Sequence, residues 1–206
     1  MKKNLLIVGA GLMGREVATW ARESGFSVKG FLDSRTHILD GFKDYPPILS
    51  SVDDYLLQED DVFVCAIGEP AVRKEYVERV LRKGGEFVSI VHPLSYVGQN
   101  TKIGKGCIVG PHATLTNDIA IADHVIINVN SSVSHDCQIG DFVTICPGCH
   151  IAGVCKIATG SFLGVHSALI PHITLGDGVG VYVAAGAVVT RSTNSSRIMG
   201  VPAREW

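Results

Sequence analysis

From Val97 to Val181 every sixth residue is aliphatic: Val97, Ile103, Val109, Leu115, Ile121, Ile127, Val133, Ile139, Ile145, Ile151, Ile157, Leu163, Leu169, Leu175 and Val181. A helix repeats about every 3.6 residues and a strand every two, so neither periodicity accounts for the series. A fixed short period marks a solenoid, in which stacked repeats build a continuous core. The fourth residue after each of these is also small or aliphatic, as at Thr101, Cys107, Ala113, Ile119, Cys137, Val143, Cys155, Val179 and Ala185. Two inward positions in six predict a triangular parallel β-helix, with three hexads to a coil. Gly98, Gly104, Gly110, Gly140, Gly164 and Gly176 directly follow an aliphatic position, which predicts tight corners there.

Residues 1 to 92 carry a different pattern. Leu5–Val8, Val28–Leu32, Val62–Ile67 and Phe87–Val91 read as buried strands. Arg15–Glu23 and Ala71–Lys83 have helical spacing, the second with Val72, Tyr76 and Val80 on one face. Strands alternating with helices predict a parallel sheet. The expected fold is therefore an α/β Rossmann-like domain over residues 1–92 and an all-β parallel β-helix with a C-terminal tail over 93–206. His92-Pro93 leads directly into the hexads without a Gly/Ser linker, so the two parts are expected to pack rigidly. A last strand is expected at Ala187–Thr190.

A formal charge of −2 gives no basic footprint for nucleic acid. Met1-Lys2-Lys3-Asn4 runs into an apolar stretch that ends at Gly9, too short for a signal-peptide core or a membrane span. A soluble cytoplasmic protein is expected, and its six cysteines are expected to be free thiols. Cys107, Cys137, Cys149 and Cys155 fall in inward slots, where a thiol acts as a small hydrophobe. Cys137 and Cys155 are expected to stack on adjacent coils.

Gly9-Ala10-Gly11-Leu12-Met13-Gly14 is a G-x-G-x-x-G between a strand and a helix. Such glycines let a backbone approach a phosphate at a helix N-terminus. Asp33 ends the next strand, where a carboxylate would meet a ribose hydroxyl. Three readings remain open: a dinucleotide, a nucleotide-linked substrate, or a tight turn with no ligand. Fewer than a hundred residues are too few for both mononucleotide halves, although one half can still hold one nucleotide.

Six histidines, His112, His124, His135, His150, His166 and His172, lie among the hexads, all outside the inward slots. Most of them are expected to be solvated corner residues. His135 differs because Asp136 follows it and Gly153 lies one coil above. A neutral imidazole facing a cleft can act as a base near neutral pH, and a backbone N–H one coil away can steady an oxyanion. No metal site is expected, since the chain has no His-x4-His pair of the kind that zinc-dependent β-helix hydrolases use.

The hexads resemble those of the left-handed β-helix (hexapeptide-repeat) acyltransferases. The likeness is greatest to acetyltransferases of nucleotide-linked amino sugars and of sialic acid, which join a small Rossmann-like domain to the prism. It rests on Gly9–Gly14, Phe31-Leu32-Asp33, Ala66-Ile67-Gly68 with Val72-Arg73-Lys74, Val91-His92-Pro93, Ile127-Asn128, Val133 through Phe142, Pro147-Gly148, Ala152-Gly153 and Gly200-Val201-Pro202-Ala203. The resemblance implies a left-handed coil, a homotrimer, and acetyl-CoA as co-substrate in the groove between prisms, with no permanent cofactor. It implies His135 as general base with Asp136 raising its basicity. It also implies substrate contacts at Gly9, Gly11, Leu12, Met13, Asp33, Ser34, Gly68 and Asn128, and acetyl-CoA contacts at Thr144, Gly153, Val165 and Val183. Three positions depart from the family. Thr144 and Met13 stand where histidine is frequent, and Val129 replaces the usual Thr after Asn128.

The expected activity is N-acetylation of the 4-amino group of a UDP-, dTDP- or GDP-linked 4-amino-4,6-dideoxyhexose for surface glycan synthesis. Two rivals are O-acetylation of sialic acid or a related hydroxyl, and a dinucleotide-binding oxidoreductase or sensor on a trimeric scaffold. Neither nucleic acid nor membrane is an expected partner.

Overall fold

The computed structural model describes residues 3–205; the ends of the two expected parts, residues 1–2 and 206, lie outside the described residues. The first part is built from β1 (Asn4–Val8), α1 (Leu12–Glu23), β2 (Ser27–Leu32), β3 (Ile48–Ser50), β4 (Asp61–Cys65), α2 (Pro70–Arg82) and β5 (Glu86–Phe87). The strands form one parallel sheet in the order β3-β2-β1-β4-β5. Alternation along β1 separates its side chains. Leu5 and Ile7 join Val17 and Trp20 of α1, while Leu6 and Val8 join Val77 and Val80 of α2. The buried stripe of α2 is Pro70, Arg73, Val77 and Val80, not the expected Val72, Tyr76 and Val80. Val72 and Tyr76 instead face a cleft at the carboxyl edge of the sheet.

The second part is a three-sided parallel β-helix. Its first face holds Tyr96–Val97, Thr114–Leu115, Ser132–Val133, His150–Ile151, Ala168–Leu169 and Val188–Val189. The second face runs from Lys102–Ile103 to Thr174–Leu175. The third runs from Ile90–Val91 through Thr144–Ile145 to Tyr182–Val183, and continues into Arg197–Gly200 and Ala203–Glu205. The expected strand Phe87–Val91 is two strands. Phe87 pairs within the first sheet, whereas Ile90–Val91 already pairs with Ile108–Val109 as the lowest rung of the third face. Residues such as Leu115, Val133, Ile145 and Leu163 fill a single core with the inward cysteines. The thiols are free, and Cys137 Sγ accepts the Cys155 N–H at 3.4 Å, one coil above the other.

At the corners the left-handed backbone falls on the third residue after each aliphatic position, as at Asn100, His112, Asp118, Asn130 and Asp136. Short polar side chains tolerate that conformation. Gly98, Gly104, Gly110, Gly140 and Gly164 open the corners expected there but have ordinary backbone angles, the left-handed residue coming two positions later. Most of them are glycine because a Cβ there would run into the backbone of the next coil. The repeat also slips. Phe162 pairs with Tyr182 and Ala168 with Val188, each twenty residues apart, where the rungs below are eighteen apart. Gly176–Gly180 bulges out to absorb the two extra residues. Val181 therefore takes the inward place expected of Val179, which is 67% exposed.

The first part lies against the third face. Ile108 and Ile126 on the outside of that face continue the cluster of Leu5, Ile7 and Trp20 without a break. A polar clasp forms at each side. On one, Leu94 N–H donates to His92 Nδ1 at 3.1 Å, which leaves the ring hydrogen on Nε2 to reach Glu23 of α1 at 2.7 Å. On the other, fully buried Arg73 donates to the carbonyls of Ile67, Gly68, His124, Phe142 and Val143 and to Thr144 Oγ1. Burial pushes the guanidinium down to about 10, so it remains charged at neutral pH.

His124 lies beside this clasp. It is not a solvated corner residue but 7% exposed, because the first part covers its corner. Its ring stacks on Phe142 at 5.0 Å and meets Phe87 edge-on at 4.8 Å, and its Nδ1 has no partner among the described residues. Among the described residues no helix is long and apolar enough to cross a membrane.

Arg73→Met is expected to lower unfolding free energy by about 2–4 kcal/mol, because buried carbonyls lose their donors. Arg73→Lys should not restore it, as an ammonium cannot reproduce the planar fork; urea unfolding of the three proteins checks both. Burial depresses the His124 pKa from 6.5, so below that pH the unfolded chain binds a proton the folded chain resists. Stability is expected to fall as pH drops from 7 to 5, and His124→Gln should flatten that part of a melting-temperature profile.

Candidate active site

The carboxyl ends of β1, β2 and β4 open into a cleft of about 360 Å³ lined by Gly9, Leu32, Asp33, Ser34, Arg35, Ile67, Val72 and Tyr76. Ligands of open parallel sheets bind at such edges, where strand order reverses. The three loop glycines have separate reasons to be glycine. Gly9 has φ +94, a left-handed value. A Cβ on Gly14 would collide with the Gly9 carbonyl, so its absence lets α1 pack close to β1. Gly11 has ordinary angles and no tight neighbour within the chain, with Arg35 Nη2 at 3.7 Å from where a Cβ would sit. Its bareness leaves room for something outside the chain. The first turn of α1 has no acidic residue and no capping side chain, so its amides face the opening.

Asp33 is buried, and donors surround its carboxylate. Ala10 N–H and Arg35 Nη2 reach Oδ2 at 2.9 and 2.7 Å, while the N–H and Nε of Arg35 both reach Oδ1 at 2.9 Å. Those bonds to Arg35 and Ala10 outweigh the cost of burial and hold its pKa below the ordinary carboxylate range. Four bonds fill the acceptor capacity of a carboxylate. The expected ribose contact is therefore not open to Asp33 as it stands. Of the other expected substrate contacts, Leu12 is 79% exposed at the start of α1, and Met13 packs into the apolar cluster behind it. The Gly68 carbonyl accepts from Arg73 and Thr144, and Asn128 caps its own corner through the Val129 N–H.

His135 and Asp136 occupy the corner between the first and second faces. His135 Nδ1 lies 2.8 Å from Asp136 Oδ2, and both side chains are exposed. An ionised carboxylate can only accept, so Nδ1 carries the hydrogen and Nε2 presents its lone pair outward. Gly153 lies directly above. A Cβ there would be 2.7 Å from His135 Cε1, so only glycine leaves the imidazole its place. Val154 N–H donates to the His135 carbonyl at 2.9 Å. Val154 itself has φ +63, costly for a β-branched residue by about 1–3 kcal/mol.

Equivalent corner amides at Gln99 and Lys105 receive a side-chain oxygen from Asn117 and Asp123, eighteen residues on. At Gly153 that position is Pro171, which offers no acceptor. The Gly153 N–H consequently has no partner among the described residues.

The four expected acetyl-CoA residues separate. Gly153 shares the His135 corner. Val165 is on the corner between the third and first faces, and Val183 points into the core. Thr144 is a correction. It is 3% exposed and bonds Gly68 and Arg73, so it belongs to the domain junction and has no face open to a groove. The first part covers the third face and the lower coils of both flanking corners, through Val129 on one and His124 and Phe142 on the other, and leaves Val165 exposed on the coil above. His135 sits on the remaining corner, so one chain keeps the cleft and the imidazole apart. Among the described residues no three His, Cys, Asp or Glu side chains are grouped to hold a metal ion.

Sequence reasoning missed Arg35, Ile67, Val72 and Tyr76 as lining the cleft. The i,i+4 spacing of Val72 and Tyr76 is a signal for two of them, but it reads equally well as a core stripe.

Residues 4–80 match the PglD N-terminal domain family. GDP-perosamine N-acetyltransferase of Escherichia coli O157:H7 is 36% identical over 102 residues, which covers 50% of this chain and 46% of that protein. The chain thus aligns with about half the length of the curated relatives it matches. Among solved structures, the acetyltransferase domain of PglB from Neisseria gonorrhoeae FA1090 in complex with acetyl coenzyme A superposes with a TM-score of 0.90. It has 29% identity and full coverage of both chains. PerB from Caulobacter crescentus, in complex with CoA and GDP-perosamine, gives 0.88 and 27%, covering 98% of this chain and 96% of that one. The fold is a Rossmann-like domain followed by a left-handed β-helix, and the chain matches the hexapeptide-repeat nucleotide-sugar N-acetyltransferases in both parts.

Gly14→Ala is expected to force α1 away from β1 and to destabilise the first part by about 1–3 kcal/mol. Hydrogen exchange should show α1 and β1 losing protection while the prism keeps it.

Proposed function

We propose that this chain is an acetyl-CoA-dependent N-acetyltransferase acting on the 4-amino group of a nucleotide-linked amino-deoxy sugar, a UDP-, dTDP- or GDP-4-amino-4,6-dideoxyhexose, for surface glycan synthesis. The observation that carries the reading is the His135–Asp136 pair at 2.8 Å beneath the bare Gly153, on an exposed corner of the prism. Relatives named for N-acetylation of perosamine and N-acetylbacillosamine support the substrate class.

The amine attacks the thioester carbonyl as a neutral nucleophile. As the C–N bond forms, His135 Nε2 takes the proton from nitrogen, and Asp136 steadies the resulting imidazolium. The carbonyl oxygen gains charge facing the Gly153 N–H. Collapse of this intermediate breaks the C–S bond, and the proton leaves with the CoA thiolate. Holding both substrates in one groove lowers the barrier further by converting a bimolecular step into a local one.

A homotrimer belongs to this reading, because the nucleotide cleft of one copy needs the His135 corner of another. Gly9, Gly11, Leu12 and Ser34 then serve the sugar nucleotide. Gly153 and Val165 serve acetyl-CoA from facing edges, with Val183 contributing only backbone. A cytoplasmic location fits the free thiols.

The test is acetyl transfer from acetyl-CoA to a panel of nucleotide-linked 4-amino sugars. His135→Ala is expected to cost about 10²–10⁴ in kcat. Asp136→Asn keeps a partner for the ring and should cost less. Gly153→Ala should lose activity with little change in melting temperature. Near-normal thiol release by His135→Ala would remove His135 as the base.

A further inference from the structure

Arg35 is unusual in that half of its guanidinium is used and half is not. Its Nε and Nη2 form a side-on pair with Asp33, at 2.9 and 2.7 Å. The Nη1 amino group has no hydrogen-bond partner among the described residues, and the side chain is 63% exposed. The end-on edge of the fork therefore faces outward while the side-on edge is locked. Nη2 lies 3.7 Å from the Cβ position that Gly11 leaves empty, so the fork stands at the glycine loop. The rest of the cleft is of another character. Leu32, Ile67 and Val72 are aliphatic and Tyr76 offers a ring, which suits a nucleobase rather than a charge.

Asp33 explains why the fork is fixed. It is 7% exposed, and its four bonds tie β2, the glycine loop and Arg35 into one unit. A buried carboxylate of this kind neutralises the guanidinium only in part, because the free edge still projects a positive field into the opening. A flexible arginine would have to give up rotamer entropy on binding an anion, and this one has already done so.

We propose that Arg35 binds the diphosphate of the substrate through its free Nη1/Nη2 edge, and that Asp33 is the positioning residue that holds it there rather than a ribose ligand. This rests on the nucleotide-sugar reading above and adds to it the residue that recognises the phosphates. An arginine fork matches two phosphate oxygens at once, where a lysine offers only a point charge.

The experiment is calorimetric titration of the full-length wild type, Arg35→Gln and Arg35→Lys with UDP, dTDP and GDP, with the matching nucleosides, and with inorganic pyrophosphate. Melting curves confirm that each variant is folded. The wild type is expected to bind one of the diphosphates more tightly than its nucleoside. Arg35→Gln should lose about 10- to 100-fold for that diphosphate and for pyrophosphate, the range of one or two charge-assisted bonds, with no loss for the nucleoside. Arg35→Lys should recover part of the loss. In turnover, KM for the nucleotide sugar should rise by a similar factor while KM for acetyl-CoA stays put.

Equal losses for nucleoside and diphosphate would assign Arg35 to the base and overturn the proposal. Unchanged diphosphate affinity in Arg35→Gln, with a wild type that binds, would overturn it alone. A wild type that binds none of the diphosphates would overturn the nucleotide-sugar reading itself, and this assignment with it.

Discussion

The Arg73 side chain enters the buried seam between α2 and the prism with a full positive charge, and among the described residues no carboxylate is hydrogen-bonded to it. Its charge is balanced by the carbonyl dipoles of both parts, three from the β-helix corners and two from the loop after β4. A point charge with fewer donors could not bridge so many acceptors, and an apolar residue would strand them. The geometry of everything at the carboxyl edge of the sheet follows from this. The loop carrying Ile67 and Gly68 is pinned to the corner carrying Phe142, and that loop forms one wall of the cleft. The His92–Glu23 contact at the other flank stops α1 from pivoting about the guanidinium.

Where a side chain points was legible in the sequence when one periodicity governed it. The prism, its inward cysteines and the alternating strands of the first part could be read because burial there repeats. The reading failed where two surfaces meet. His124 occupies an outward corner position and is nevertheless sealed, since Phe87 arrives from the other part. Thr144 is outward on its strand and also sealed, by the loop at Gly68. In α2 the i, i+4, i+7 row that is buried begins with an arginine, so hydrophobicity alone selected the neighbouring row. The slip at Gly176–Gly180 escaped because Leu175 and Val181 keep the count of six by coincidence, while the chain between them loops outward.

The His135 corner was more legible than the cleft at the carboxyl edge of the sheet. His135, Asp136 and Gly153 are fixed by counting along a repeat, because at that level one coil above is eighteen residues on. The cleft draws from four separate segments whose mutual approach no local pattern encodes. Asp33 illustrates the difference. Its position at the end of β2 was evident, but its partner two residues later was not, and that partner decides whether the carboxylate meets a ligand or a guanidinium.

A stack of parallel rungs has, in principle, no reason to stop. Each exposed rung offers unpaired amides and carbonyls that would accept another chain just as well as another coil of its own. On the third face Arg197–Gly200 pairs in parallel with Tyr182–Val183, and Ala203–Glu205 then turns back on it antiparallel. Reversing the direction of the last strand changes the spacing of the hydrogen bonds from that of every rung below. On that face the hairpin thereby ends the run of parallel rungs, so another rung cannot be added in the same register.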